Sequence, residues 1–184
     1  RYYKNKKLLE RNNVYSMDME HDACGVGLVA STEGKKSRKV VEYGIEALKA
    51  VWHRGAVDAD GKTGDGAGIH VEISKEFFKE KIEVTGHTYD NSEICIGMIF
   101  LPRNDYEAQE NCRTLVEKEL TQNNFSIYGW RQVPVNTKVL GEKAEQTRPE
   151  ITQVLFRYND QKLSGKALEI KLYETRRKIE NNVR

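Results

Sequence analysis

The longest uninterrupted apolar stretch of this 184-residue chain reads ICIGMIFL, residues 94–101, and Pro102 follows it directly. A stretch of this length is typical of a buried strand and is far shorter than the ~20 apolar residues that span a membrane. Proline has no amide hydrogen to give to a strand ladder, so Pro102 marks the end of the strand. The sequence therefore predicts a strand over 94–101 in the core of the fold.

On both sides of this strand, the apolar spacing predicts alternating helices and strands. The helices are expected over 38–52, 74–82, 104–121 and 164–184, and the strands over 24–30, 69–73, 94–101, 125–134 and 151–158. Asn104 or Asp105 can cap the third helix, and Ser164 can cap the last. This order of elements predicts a layered α/β or α+β domain.

The charges are nearly balanced, with 30 Lys and Arg against 28 Asp and Glu. Such a balance gives no reason to expect nucleic acid or a membrane surface as a partner. Three cysteines without a Cys-x-x-Cys pair argue against a disulfide scaffold, a four-Cys zinc site or an iron–sulfur cluster. Cys95 and Cys112 fall on apolar faces and are expected to pack in the core. No apolar segment typical of a signal peptide opens the chain, so a reducing, cytoplasmic location is expected.

The glycine-rich loop over 53–68 imitates a phosphate-binding loop that ends at Lys62-Thr63. A phosphate cradle needs a strand before its glycines and a helix that starts at the Lys-Thr pair. Here a predicted helix precedes the loop, more glycines follow it, and Asp58 and Asp60 would repel phosphate. The pattern instead favours a backbone that approaches another group closely or adopts positive φ.

Arg54 and Asp65 are the candidate binding residues of this loop. Arg54 can hold a carboxylate through two parallel hydrogen bonds, although an Arg near a helix end is also favoured by the helix dipole. For this residue alone, the second interpretation is the stronger one. Asp65 stands between Gly64 and Gly66, so it is either a polar anchor or, by default, a turn residue.

Cys24 is the candidate nucleophile, because Gly25 and Gly27 leave open space around its sulfur. A buried, inert cysteine is the common alternative. A nucleophilic cysteine needs a base, and the four His residues are scattered along the chain. If the chain were cut before Cys24, its new α-amino group, with a pKa of about 7.7–8.0, would be well placed to take the thiol proton.

Seven short segments follow one another along the chain: HDACGVG (21–27), WHRGA (52–56), TGDGAG (63–68), YGWRQVPVN (128–136), LG (140–141), PEI (149–151) and RRKIE (176–180). In this order they resemble the start of the large (α) subunits of the glutamate synthase family. The match runs from about Asp18 to the C-terminus. Each piece is short, but several in the same order are highly specific.

The resemblance implies an α+β fold, the four-layer αββα sandwich of N-terminal-nucleophile hydrolases, present only in part. It implies that residues 1–23 are a propeptide and that residues 24–184 are the N-terminal portion of a class II glutamine amidotransferase domain. Cleavage would make Cys24 the first residue, with its own α-amine as base. The resemblance further places Arg54, Gly55, Asp65 and Gly66 in the glutamine pocket, and it implies no metal ligands.

In the glutamate synthase family, ammonia from glutamine is added reductively to 2-oxoglutarate. The resemblance therefore implies FMN, an iron–sulfur cluster, NAD(P)H or ferredoxin, and a small (β) subunit for the whole enzyme, with no cofactor site in this segment. Because Arg1 is not Met and the final helix lacks a clear end, we expect a longer protein. The family's oxyanion hole would lie beyond Arg184, so this piece alone is expected to be inactive.

Two alternatives to this interpretation stay open at the level of sequence. The first is another class II amidotransferase, with a different ammonia acceptor. The second is a non-catalytic domain that keeps the fold, against which the presence of both Cys24 and Arg54 argues.

Overall fold

A computed structural model describes residues 25–52, 55–64, 66–160 and 162–183. In chain order the elements are α1 (Arg38–Ala50), α2 (Lys75–Val84), β1 (Cys95–Leu101), α3 (Tyr106–Gln122), β2 (Phe125–Gln132), a 3-10 turn (Thr137–Val139), α4 (Glu142–Thr147), β3 (Glu150–Tyr158) and α5 (Gly165–Val183). Within the described residues, those up to Ala56 together with Ala67–Ile69 form one compact unit, and the others form a second.

The first unit contains α1, whose bounds confirm the helix predicted over 38–52. Ser37 caps its first turn, because the Ser37 side chain accepts a hydrogen bond from the Lys39 amide at 3.2 Å. Arg38 and Glu42 form an ion pair one turn apart at 3.3 Å. None of the α1 residues is fully buried.

The second unit is built on a three-stranded antiparallel sheet with the order β1-β3-β2. The central strand β3 is buried over consecutive residues from Thr152 to Phe156, as expected for a strand that is covered on both faces. β1 confirms the strand predicted from the longest apolar stretch, and β2 and β3 confirm those predicted over 125–134 and 151–158.

Two apolar clusters cover the two faces of this sheet. On one face, Val154 and Phe156 of β3 pack with Leu120 of α3 and Leu168 of α5. On the other face, Leu155 packs with other buried residues, Ile82 of α2 among them. Since neighbouring residues of β3 face opposite ways, one short strand anchors both clusters. Fully burying one such aliphatic side chain contributes about 1.5–3 kcal/mol.

A bulge interrupts the pairing of β2 with β3 between Ile127 and Gly129. Gly129 has φ +145, and a Cβ built on it would lie 2.9 Å from the Thr85 side chain, so glycine is required there for two reasons. The extra residue is Tyr128, which the bulge redirects toward the segment that connects α2 to β1.

The predictions of strands over 24–30 and 69–73 are wrong for the described residues of those segments, since 25–30 and 69–73 form no strand. Alternating apolar residues report a side-chain pattern, whereas a strand exists only where a neighbour supplies hydrogen bonds. Val26 and Leu28 are 94% and 92% exposed, so the pattern has no apolar partner in the described chain. No sequence pattern predicted α4, a short helix without a side-chain cap.

The observed antiparallel sheet with helices on both faces agrees with the predicted α+β class. No helix in the described ranges combines the length and the apolarity that crossing a bilayer requires.

Candidate functional site

Of the residues predicted for the site, Cys24, Arg54 and Asp65 lie outside the described residues, as does the predicted propeptide over 1–23. Gly55 and Gly66 are described. The Gly55 amide donates to the Trp52 carbonyl at 2.9 Å, and a Cβ on Gly55 would lie 3.3 Å from that same oxygen. Gly66 is exposed and has open space where a Cβ would be. The pocket roles of all five residues stay predictions.

The middle of the glycine-rich loop forms a small hairpin, residues 57–64. An antiparallel bridge joins Val57 to Gly64, and the Asp58 amide donates to the Thr63 carbonyl at 2.7 Å. Gly61 makes the tip, with φ +66 and its amide donating to the Asp58 carbonyl at 2.9 Å. The next helix begins only at Lys75, so the arrangement lacks the helix start that a phosphate-binding loop needs.

The Asp60 carboxylate is the centre of the hairpin's hydrogen bonds. It accepts from the Thr63 hydroxyl at 2.6 Å, from the Thr63 amide at 2.7 Å and from the Lys62 amide at 2.9 Å. These donors, the Thr63 hydroxyl first among them, lower the pKa of Asp60 to about 2. Asp60 is therefore a permanent acceptor near neutral pH and a poor general base.

The hairpin rests on the residues that begin α4. The Glu142 amide is near enough to help lower the pKa of Asp60, and Lys143 Nζ lies 2.5 Å from Asp58 Oδ2. A Cβ built on Gly141 would lie 2.5 Å from the Thr63 amide nitrogen, and closer still to Thr63 Oγ1 and Asp60 Oδ2. No sequence pattern predicted this contact, although the Leu140-Gly141 pair belongs to the segments that carry the resemblance.

A second polar cluster lies at the β2 bulge, around Asp90. Its carboxylate accepts from the Tyr128 hydroxyl at 2.9 Å, pairs with Arg157 Nε at 3.1 Å and also accepts from the Ser92 hydroxyl. The Ser92 hydrogen bond is the main reason that the pKa of Asp90 is lowered, while burial raises the pKa of Tyr128. No sequence pattern pointed to this cluster, which joins the α2–β1 connection to the sheet.

The two described cysteines differ in burial, and Cys95 is a poor candidate for the nucleophile. Cys95 is buried in β1, which confirms its predicted core position, and burial raises the pKa of its thiol to about 12. Cys112 is partly buried on α3. Among the described residues no group of three or more His, Cys, Asp or Glu is arranged to hold a metal. This part of the chain therefore does not fit an iron–sulfur cluster.

Comparison with known proteins identifies the class. The family model of class-II glutamine amidotransferases matches residues 24–184, and the chain belongs to this family. Its match begins at Cys24, the residue predicted to be the nucleophile.

Particular relatives narrow the resemblance further. The chain is 53% identical over 180 residues to the glutamate synthase [NADPH] large chain of Azospirillum brasilense. The aligned residues cover 98% of this chain and 12% of that relative. It is 34% identical over 178 residues to the ferredoxin-dependent glutamate synthase of Pyropia yezoensis, covering 96% of this chain and 11% of the relative. It is 37% identical over 152 residues to the glutamate synthase [NADH] of Saccharomyces cerevisiae, and these residues cover 80% of this chain and 7% of that relative.

These identities confirm the resemblance to glutamate synthases that the sequence motifs indicated. The chain spans only 12% or less of the length of the three curated relatives named above.

Proposed function

We propose that this chain is the glutamine-hydrolysing part of a glutamate synthase large subunit, with Cys24 as its nucleophile. The main support for this proposal is the match to the class-II amidotransferase family, which starts at Cys24. The identity of 53% to a glutamate synthase large chain supports this synthase over other acceptor enzymes of the class. Burial of Cys95 argues against one of the two other cysteines as the nucleophile, because a nucleophilic cysteine needs an accessible thiolate.

In the proposed mechanism, removal of residues 1–23 frees the α-amine of Cys24. The amine takes the thiol proton, and the thiolate attacks the side-chain amide carbon of glutamine. The ammonium so formed returns its proton to the leaving nitrogen, which departs as ammonia and leaves a thioester on Cys24. Water then attacks the thioester carbon, releasing glutamate and restoring the thiol.

We assign pocket roles to four further residues on the strength of the resemblance. Arg54 orders the pocket or the bound substrate, since a guanidinium suits the carboxylate of glutamine. Gly55 supplies a tight turn after it. Asp65 and Gly66 belong to the Gly-Asp-Gly loop beside the pocket. In this proposal the sheet described above is one part of a four-layer αββα sandwich.

The remaining steps of the whole enzyme are proposed for other parts of the longer protein. Ammonia would combine there with 2-oxoglutarate, and FMN with an iron–sulfur cluster would supply the reduction. The described residues do not fit the cluster, and no step in this segment depends on it. The names of the relatives mention NADPH, NADH or ferredoxin, and any of these is compatible as the electron source, with or without a small subunit.

The test is the N-terminal sequence of the natural full-length protein, combined with labelling by the diazoketone analogue of glutamine. We expect a mature start at Cys24, the label on Cys24, and loss of both label and glutamine hydrolysis in Cys24→Ala. Cys112→Ala is the matched control and should keep both. A mature protein that starts upstream and carries Cys24 internally would contradict the mechanism and favour a non-catalytic domain.

A further inference from the structure

We infer that Gly141 and Asp60 are positioning residues for glutamine hydrolysis, because together they fix the 57–64 hairpin that leads into the Gly64-Asp65-Gly66 motif. This inference rests on the proposed function. It concerns residues about 80 positions apart in sequence, whose contact involves neither the nucleophile nor the Arg54 motif.

Gly141 lies too close to the hairpin to carry a side chain. Its missing Cβ would lie 2.5 Å from the Thr63 amide nitrogen, a distance that real Cβ atoms essentially never show. Because that neighbour is backbone, a side chain at position 141 cannot be accommodated by a rotamer change alone. The hairpin itself would have to move away.

Asp60 contacts both the hairpin and the residue before α4. Its carboxylate accepts hydrogen bonds from Lys62 and Thr63 within the hairpin, and its Oδ2 lies where a Cβ on Gly141 would clash with it. One side chain therefore both closes the hairpin and lies directly against Gly141. Charge-assisted hydrogen bonds of this kind are stronger than neutral ones.

Hydrophobic burial does little to hold the hairpin and α4 together. Residues 57–64 and α4 contain no fully buried side chain, so apolar packing contributes little to holding them together. The bridge between Val57 and Gly64 then carries the hairpin's position to the start of the Gly64-Asp65-Gly66 motif. A displaced hairpin would misplace this motif while the sheet and its two apolar clusters stay folded.

The experiment compares two electrophiles on the full-length protein. The diazoketone analogue of glutamine reports the assembled pocket, whereas iodoacetamide reports the Cys24 thiol alone. We expect Gly141→Ala to slow diazoketone labelling of Cys24 by up to about 10²-fold, the size of effect that a misplacement of about 1 Å can cause. Iodoacetamide labelling of Cys24 should change little.

Two further variants make the result specific. Gly44→Ala is the matched control, since a Cβ on Gly44 meets nothing within 4 Å in the described chain, and it should label like the wild type. Asp60→Ala introduces no clash and should also slow the diazoketone, which keeps the test valid if Gly141→Ala fails to fold. Asp60→Asn keeps an acceptor oxygen and should restore part of the rate.

The outcomes separate this inference from the proposed function. A wild type that the diazoketone does not label at Cys24 would overturn both. A labelled wild type with equally fast Gly141→Ala and Asp60→Ala variants would overturn the positioning role alone. Equal slowing of both electrophiles would also overturn it, because the defect would then lie in the thiol or in folding rather than in the glutamine pocket.

Discussion

The 57–64 hairpin and the β1-β3-β2 sheet of the same unit are held by different forces. The sheet buries apolar residues on both faces, with β3 in the centre. The hairpin is exposed, apart from half-buried Asp58 and Thr63, and depends on hydrogen bonds to Asp60 and on a close approach to Gly141. The stability of the sheet is spread over many buried side chains, whereas the position of the hairpin depends on very few polar contacts.

This difference assigns distinct consequences to mutations in the two regions. Loss of one buried side chain in the sheet costs stability, because many contacts disappear together. Loss of one group in the hairpin costs geometry, because little else holds the backbone in place. Loops carried on a rigid scaffold commonly bear functional residues, and the hairpin leads into such a predicted motif.

The largest effect is expected at the centre of the sheet. Leu155→Ala removes a side chain with no exposed surface and should cost about 2–5 kcal/mol of local stability. The measurement is hydrogen exchange of β3 peptides by mass spectrometry, where each lost 1.4 kcal/mol speeds exchange about tenfold.

Val139→Ala is the control for this experiment, because Val139 is 67% exposed in the 3-10 turn. Its exchange should match that of the wild type. Equal exchange in Leu155→Ala would show that β3 is not the anchor of the two clusters.

An intermediate effect is expected at the Asp90 cluster, where buried Tyr128 and Ser92 contact a carboxylate that still reaches solvent. Tyr128→Phe removes a hydroxyl that donates to the Asp90 carboxylate, and hydrogen bonds to charged groups are worth about 1.5–3 kcal/mol. Peptides covering the α2–β1 connection and β2 should exchange faster. Tyr106→Phe, at an exposed tyrosine, should change nothing, and a Tyr128→Phe protein with unaltered exchange would remove the cluster's structural role.

The sheet was largely predictable from sequence, because its information is local. The apolar run over 94–101 and the spacing of the helices report burial directly, and Asp105 caps α3 as expected. Trp130 packs against the first apolar cluster and donates to Glu117 at 2.6 Å. The strands expected over 25–30 and 69–73 failed because a pattern does not supply a pairing partner.

The polar contacts were not predictable, because they join residues far apart in sequence. Asp58 and Lys143 are 85 residues apart, and Asp90 and Tyr128 are 38 apart. A single sequence does not show which loop will pack against a given glycine, as the 57–64 hairpin packs against Gly141. Cys24, Arg54 and Asp65 were candidates from their own sequence surroundings, but only the resemblance favoured a functional role for them over the structural alternatives, and their roles stay predictions.

A smaller effect tests the hydrogen bonds of the hairpin. Because the folded-state pKa of Asp60 is about 2, below the ordinary ~3.9, its stabilisation is present above ~3.9 and is lost as the pH falls toward 2. Thr63→Val removes the leading donor and should raise this pKa toward its ordinary value. Carbon NMR of Asp carboxyls in this chain would show the change, with Asp60→Asn assigning the signal; an unchanged midpoint would show that the Thr63 hydroxyl is not the leading cause.

The smallest effect is expected at the ion pair on the outside of the same contact. Lys143 Nζ lies 2.5 Å from Asp58 Oδ2, but both side chains reach solvent, and exposed pairs are screened and commonly contribute nothing measurable. Lys143→Ala should therefore leave diazoketone labelling of Cys24 unchanged at any salt concentration. Slowing comparable to that of Gly141→Ala would mean that charge attraction, rather than the fit at Gly141 and the bonds to Asp60, holds the hairpin, and added salt would then slow the wild type as well.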